Sequence, residues 1–169
     1  MNAFRHPIGP ERPASPAASY GVPMSSAGLV DWDLVVTRLA AERNYWLATV
    51  DTESRPHAMP VWGVLVDDDL YLETDAATLK ARNIATNPAV AVHLEDGDRV
   101  VAAEGSAEPF VPGPVLGPQI EAAFAAKYSG YRPTPDEWDA GGLYRIVPRV
   151  LFAWNDMPSA TRWRFGVAG

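Results

Sequence analysis

Apolar and polar positions change their rhythm several times along the chain. Residues 1–27 are rich in Pro, Ala, Ser and Gly and carry no helical or strand period, so they read as a flexible arm. From there to residue 169 the pattern reads as a single domain. Leu29, Trp32, Val35, Val36, Leu39 and Ala40 recur at helical spacing, which predicts an amphipathic helix with Ser25 or Ser26 as its cap. Alternation then takes over. "YWLATV", "PHAMPVWGVLV" and "LYLET" predict three strands, the second interrupted for pairing by Pro56 and Pro60.

A helix is predicted over 76–86 and is stopped by "NP". "AVAVHLE" and "RVVAAEGSAE" flank an Asp-Gly turn and predict a hairpin. "PFVPGPVLGPQ" reads as a loop, "IEAAFAAKY" as a helix, and 129–142 as a long polar loop. "LYRIVPRVLFAWN" is one strand or two broken at Pro148, and "ATRWRF" is a last short strand. Six or seven mostly consecutive strands with three helices predict an antiparallel barrel or strongly curled sheet, mostly β in an α+β arrangement.

Composition removes several function classes. The net charge of −7 argues against a general nucleic-acid binder, which needs a basic surface. No apolar run approaches the length of a membrane span, and the N-terminal stretch has no secretory core. Cysteine is absent, which excludes disulfides, thiolate metal sites and a cysteine nucleophile. A cytoplasmic protein is expected. Arginine greatly outnumbers the two lysines, Lys80 and Lys127, and Ala, Pro and Val are abundant, as in high-GC genomes.

Those two lysines sharpen the search for chemistry. Lys80 falls in "TDAATLKARN", at the start of a predicted helix, where the helix dipole already disfavours a cation. If Thr78 or Asp75 caps that helix, free backbone N–H groups, the Thr78 hydroxyl and Lys80 converge on a phosphate-sized point. The other reading makes Lys80 and Arg82 solvated charges with Asp75 as partner. In the strand with Pro60, His57, Met59 and Val61 face one way and Ala58, Pro60 and Trp62 the other, with both faces apolar enough for burial. Pro60 donates no ladder hydrogen bond, so the backbone at Val61 and Trp62 is either open to a flat ligand or part of a bulge. Arg162 and Arg164 flank Trp163 in the last strand, as a ligand shelf or as edge packing. His57 and His93 have no metal-ligand spacing, and no nucleophile elbow or nucleotide-binding glycine loop is present. The pattern suits a bound cofactor that carries the chemistry while the protein orients it.

The ordered set "LATV", "RPHAMPVW", "LYLET", "TLKARN" and "NPAVAV", within residues 44–108, resembles the pyridoxamine 5'-phosphate oxidase-like split β-barrel superfamily, and within it the flavin/deazaflavin oxidoreductase group of actinobacteria. The resemblance implies an antiparallel split barrel that forms a homodimer with cofactor sites at the subunit interface. It implies that Val61 and Trp62 contact the ring, that Thr74, Thr78 and Lys80 lie by the ribityl chain and phosphate, and that Arg82 and Asn83 occupy the family's basic and amide positions. The C-terminal strand of the other subunit would bring Trp163 and Arg164 to the site. The whole implied cofactor-binding set is His57, Met59, Pro60, Val61, Trp62, Thr74, Thr78, Leu79, Lys80, Arg82, Asn83, Trp163 and Arg164. The extra basic residues and longer C-terminal segment of true pyridoxamine phosphate oxidases are missing, so that substrate is not expected. The implied activity is hydride transfer to or from a small molecule with the deazaflavin F420, or with FMN. A non-catalytic carrier of flavin, F420 or haem is the alternative.

Overall fold

The computed structural model describes residues 4, 7–14 and 17–166. In chain order the strands and α-helices are β1 (Pro7–Glu11), α1 (Trp32–Ala41), β2 (Tyr45–Val50), β3 (Pro56–Val66), β4 (Asp69–Glu73), α2 (Leu79–Thr86), β5 (Ala89–His93), β6 (Val101–Pro109), α3 (Leu116–Lys127), β7 (Leu143–Ala153) and β8 (Thr161–Phe165). A 3-10 turn over Pro135–Ala140 precedes β7.

The sheet order is β1-β8-β7-β4-β3-β2-β5-β6, and β6 returns to pair with β7. Strands β2–β7 therefore close an antiparallel six-strand barrel, with β8 and β1 added outside it. The split comes from β7. Its Leu143–Ile146 half pairs with β4, whereas Val150–Ala153 pairs with β8. The barrel edge parts between these two neighbours. The expected split barrel with flanking helices is the observed fold.

Two apolar clusters hold it. One fills the barrel and includes Tyr45, Leu47, Val61, Leu70, Leu72 and Leu151, with Val35 and Leu39 of α1 and Ile84 of α2 packed against it. The second lies between the other face of β3–β4 and α3, where Val64 and Tyr71 meet Ile120, Phe124, Tyr128 and Trp138. Strand β4 thus buries both faces, Leu70 and Leu72 on one and Tyr71 on the other, which explains its near-continuous apolar run. At Gly63, opposite Leu72, an added Cβ would lie 2.5 Å from Leu72 Cδ2 and 2.7 Å from the Tyr71 carbonyl, so only glycine fits.

Several expectations need correcting. Residues 7–11 of the supposed arm form strand β1 along β8. Two prolines are tolerated there because β1 is an edge strand. Phe4 is buried edge-on against Phe165, with ring centroids 5.8 Å apart. Helix α1 starts later than expected, with Asp31 rather than Ser25 or Ser26 at its N-cap. Helix α3 starts within the supposed Pro/Gly loop, at Leu116. Strand β7 runs unbroken through Pro148, because β6 bulges opposite it between Glu104 and Gly105. Among the described residues no helix is long and apolar enough to cross a membrane.

Candidate functional site

Strand β3 is longer than its neighbour β4. Its residues 56–61 pair with β2 on one edge, while β4 joins the other edge only from Trp62, which lies opposite Glu73. Pro60 sits in that one-sided stretch, where its missing N–H costs no ladder bond. Beyond Glu73 the chain leaves the sheet and enters α2. The gap between the free edge of β3, the end of β4, the start of α2 and the loop before β7 is a cleft of about 730 Å³.

The α2 wall is built locally. Thr78 is the N-cap, and its hydroxyl oxygen accepts from the Ala81 N–H at 3.4 Å while donating to the Asp75 carbonyl at 2.7 Å. Thr74 and Thr78 place their hydroxyls 3.3 Å apart. Asp75 turns back to accept from the Ala77 N–H at 2.7 Å. Among the described residues the N–H groups of Leu79 and Lys80 find no acceptor, as first-turn amides require. The half-buried Lys80 side chain lines the cleft and forms no hydrogen bond or ion pair with the described residues.

The opposite wall comes from the 129–142 loop and β4. The Glu73 carboxylate accepts through Oε1 from the Tyr131 phenol at 2.5 Å and from the Trp138 indole N–H at 3.2 Å. Its Oε2 is buried and has no partner among the described residues. Burial, then the bond to Glu73, pushes the Tyr131 phenol well above its usual range. Gly142 accepts from the Thr74 N–H at 2.9 Å and has φ +105°, and an added Cβ would sit 2.9 Å from the Thr74 carbonyl. That contact seats the loop on the α2 entry. Trp62 stacks on Tyr128 with centroids 4.4 Å apart and meets Tyr131 edge-on at 5.2 Å. Behind this stack, Lys127 Nζ donates to Tyr45 Oη at 2.8 Å and to the Gly63 carbonyl at 2.9 Å. Burial pushes its pKa down to about 8, opposed by the negative charge of Glu42.

Of the expected cofactor residues, the cleft gathers Pro60, Val61, Trp62, Thr74 and Lys80. Thr78 shapes it as the cap, and Leu79 is exposed at the first turn of α2. His57 and Met59 lie further along β3, outside the cleft lining. Met59 and Trp62 are 45% and 38% exposed, so this strand is not buried on both faces. Arg82 folds back to donate to the Ala77 carbonyl at 2.6 Å. Neither Arg82 nor Lys80 pairs with Asp75. Asn83 is buried and donates to Thr49, so it faces the barrel rather than a ligand.

Trp163 is 1% exposed and packs edge-on against Trp32 and beneath β1, so it offers no ring face to a cofactor. Arg164 pairs with Glu11 at 2.9 Å across β1–β8. The segment that was expected to be a free arm covers Trp163 and pairs with Arg164, whose side chain stays exposed. Conversely, Glu73, Tyr131, Glu137 and Trp138 line the cleft without having been singled out. Their signal was an acid closing an apolar strand and two aromatics inside a long polar loop. Among the described residues no group of three or more His, Asp or Glu is placed to hold a metal ion.

No curated protein matches. Among solved structures, a conserved hypothetical protein, Rv2991, from Mycobacterium tuberculosis is 28% identical over 80% of this chain and 91% of its own, with a TM-score of 0.62. A structure described as an F420 reductase is 25% identical over 68% of this chain and 93% of its own, with a TM-score of 0.54. The haem storage protein HutZ from Vibrio cholerae shares the fold at 19% identity, over 74% and 94% of the two chains, with a TM-score of 0.56. The family model described as pyridoxamine 5'-phosphate oxidase matches residues 32–154, a span that contains α1 and every strand of the closed barrel. With that match over most of its length, the chain belongs to the pyridoxamine 5'-phosphate oxidase family.

Proposed function

We propose that the protein is an oxidoreductase that holds F420, or alternatively FMN, in the cleft and passes a hydride between it and a small organic substrate. The carrying observation is Lys80, a half-buried cation with no partner among the described residues, beside two unsatisfied first-turn amides of α2. An anion placed there meets an ammonium group, backbone donors and the positive end of a helix at once. A phosphate fits this donor set. The unpaired edge of β3 at Pro60 and Val61 lies in the same cleft, where backbone groups can position a flat ring system.

A bound flavin or deazaflavin supplies the hydride chemistry; the chain supplies binding, orientation and exclusion of water. The similarity to an F420 reductase supports the deazaflavin, and the family match supports a cofactor of the flavin kind. The acidic cleft lining weighs against the anionic tail of F420 and keeps FMN in contention. A homodimer belongs to the proposal, and the exposed apolar side chains of Met59 and Leu79 are surface that a second subunit would cover.

The test is fluorescence titration of the apoprotein with FMN and with F420, comparing wild type and Lys80→Ala. Saturable binding that weakens in the folded variant supports the phosphate site and identifies the cofactor. Equal affinity in both proteins removes Lys80 from the site. Cofactor binding without accelerated reduction of any acceptor in a screen would point to a carrier instead of an enzyme.

A further inference from the structure

The cleft lining carries one cation, Lys80, and three carboxylates, Glu73, Asp75 and Glu137. Asp75 is occupied as the acceptor of its own turn. Glu73 is in a different situation. Tyr131 and Trp138 fix one oxygen and thereby the plane of the carboxyl group, while Oε2 is buried with no donor. A carboxylate oxygen left unpaired in a low-dielectric wall is costly and is relieved by any donor that reaches it.

The neighbour of that carboxylate is an aromatic face. Trp62 and Glu73 are directly opposed across β3–β4, so their side chains stand side by side on one face of the sheet. Tyr128 covers one face of the indole, and Trp62 is nonetheless 38% exposed and lines the cleft. A carboxylate beside an open indole is the combination that recognises an organic cation, through a charge-assisted hydrogen bond and a cation–π contact. Gly130, Gly141 and Gly142, all at positive φ, flank the segment carrying Tyr131 and Trp138.

We infer that the cleft selects a substrate bearing a protonated amine or amidine, seated against Trp62 with its N–H groups on Glu73. The inference rests on the proposed cofactor reading in one respect: the cofactor's phosphate engages Lys80, which leaves Glu73 without a compensating cation. Neutral and carboxylate-bearing analogues of the same size are then selected against.

The probes are benzylamine, benzyl alcohol and benzoate, titrated by calorimetry into FMN-loaded protein and separately into the apoprotein. Benzylamine is expected to bind, benzyl alcohol more weakly and benzoate least. E73Q keeps an oxygen for Tyr131 and Trp138 and is expected to weaken benzylamine by about tenfold or more, the scale of one charged hydrogen bond, while FMN affinity stays unchanged. Benzylamine binding no tighter than benzyl alcohol, or unaffected by E73Q, overturns the inference. So does E73Q weakening FMN instead, which would give the carboxylate to an N–H of the cofactor ring. Should E73Q fail to fold, rising salt must weaken benzylamine in the wild type more than benzyl alcohol, and equal sensitivity overturns the inference. Failure of FMN to bind, with the amine preference intact in the apoprotein, would sink the cofactor reading and leave the cation site standing.

Discussion

Asn83 donates its side-chain N–H to Thr49 Oγ1 at 3.0 Å, and both residues are buried. Thr49 also reaches the His57 carbonyl at 3.3 Å, so one short polar chain ties α2 to β2 and β3. Replacing Asn83 by Ala leaves the Thr49 hydroxyl short of a partner in the interior. The expected cost is roughly 1–3 kcal/mol of unfolding free energy, read from urea denaturation. The same variant should bind FMN more weakly, because α2 loses its seat. Lys80→Ala should lose cofactor affinity with unchanged stability, and the contrast separates the two roles.

Lys127 makes stability depend on pH in a definite direction. Its ordinary pKa of 10.5 is lowered to about 8 in the fold, chiefly by burial. Between these values the unfolded chain binds more protons than the folded one, so stability rises with pH. Below pH 8 both states are protonated, and the full cost of burying the ammonium group is present. Urea titrations from pH 7.5 to 9.5 should show stability climbing in the wild type and a flatter profile in Lys127→Met. The window stops there because the buried phenols of Tyr45, Tyr71 and Tyr131, all shifted upward mainly by burial, oppose the trend above pH ~10.

Gly105 sits at the β6 bulge opposite Pro148, and a Cβ there would lie 2.1 Å from the Val147 carbonyl. The three nearest atoms are all backbone of Val147 and Pro148 in β7, so no flexible side chain can move aside. Gly105→Ala should therefore cost at least about 1–3 kcal/mol, and thermal melting should show it. A variant as stable as wild type would mean that the bulge relaxes freely.

Arg12 holds the N-terminal segment in place. It donates to the carbonyls of Ser25, Ala27, Pro158 and Ala160, at 2.5–2.9 Å. Arg12→Ala should loosen β1 from β8 and raise hydrogen exchange in residues 161–165, with the closed barrel of residues 45–153 little affected. Uniform loss of protection across the barrel would show instead that β1 is integral to its folding.

The sequence by itself determined the features whose causes are local. Alternation marks β2, which shows opposite faces to the core and away from it, and a short apolar run marks β4, which is buried on both faces. The polar stretch around Asp96 and Gly97 marks the connection of the β5–β6 hairpin, which is longer than a tight Asp-Gly turn. The Thr78 cap and the unpaired Lys80 both belong to one short segment, so "TLKARN" was readable as a helix start with a misplaced cation. Tertiary structure decided what covers each face. Alternation set Trp163 apart from its flanking arginines, but only the packing of α1 and β1 turned the Trp inward and paired Arg164 with Glu11. The bonds from Glu73 to Tyr131 and Trp138 join residues 58 and 65 positions apart. No local period reports such a meeting, since it exists only once barrel closure brings the end of β4 against the loop that leads into β7.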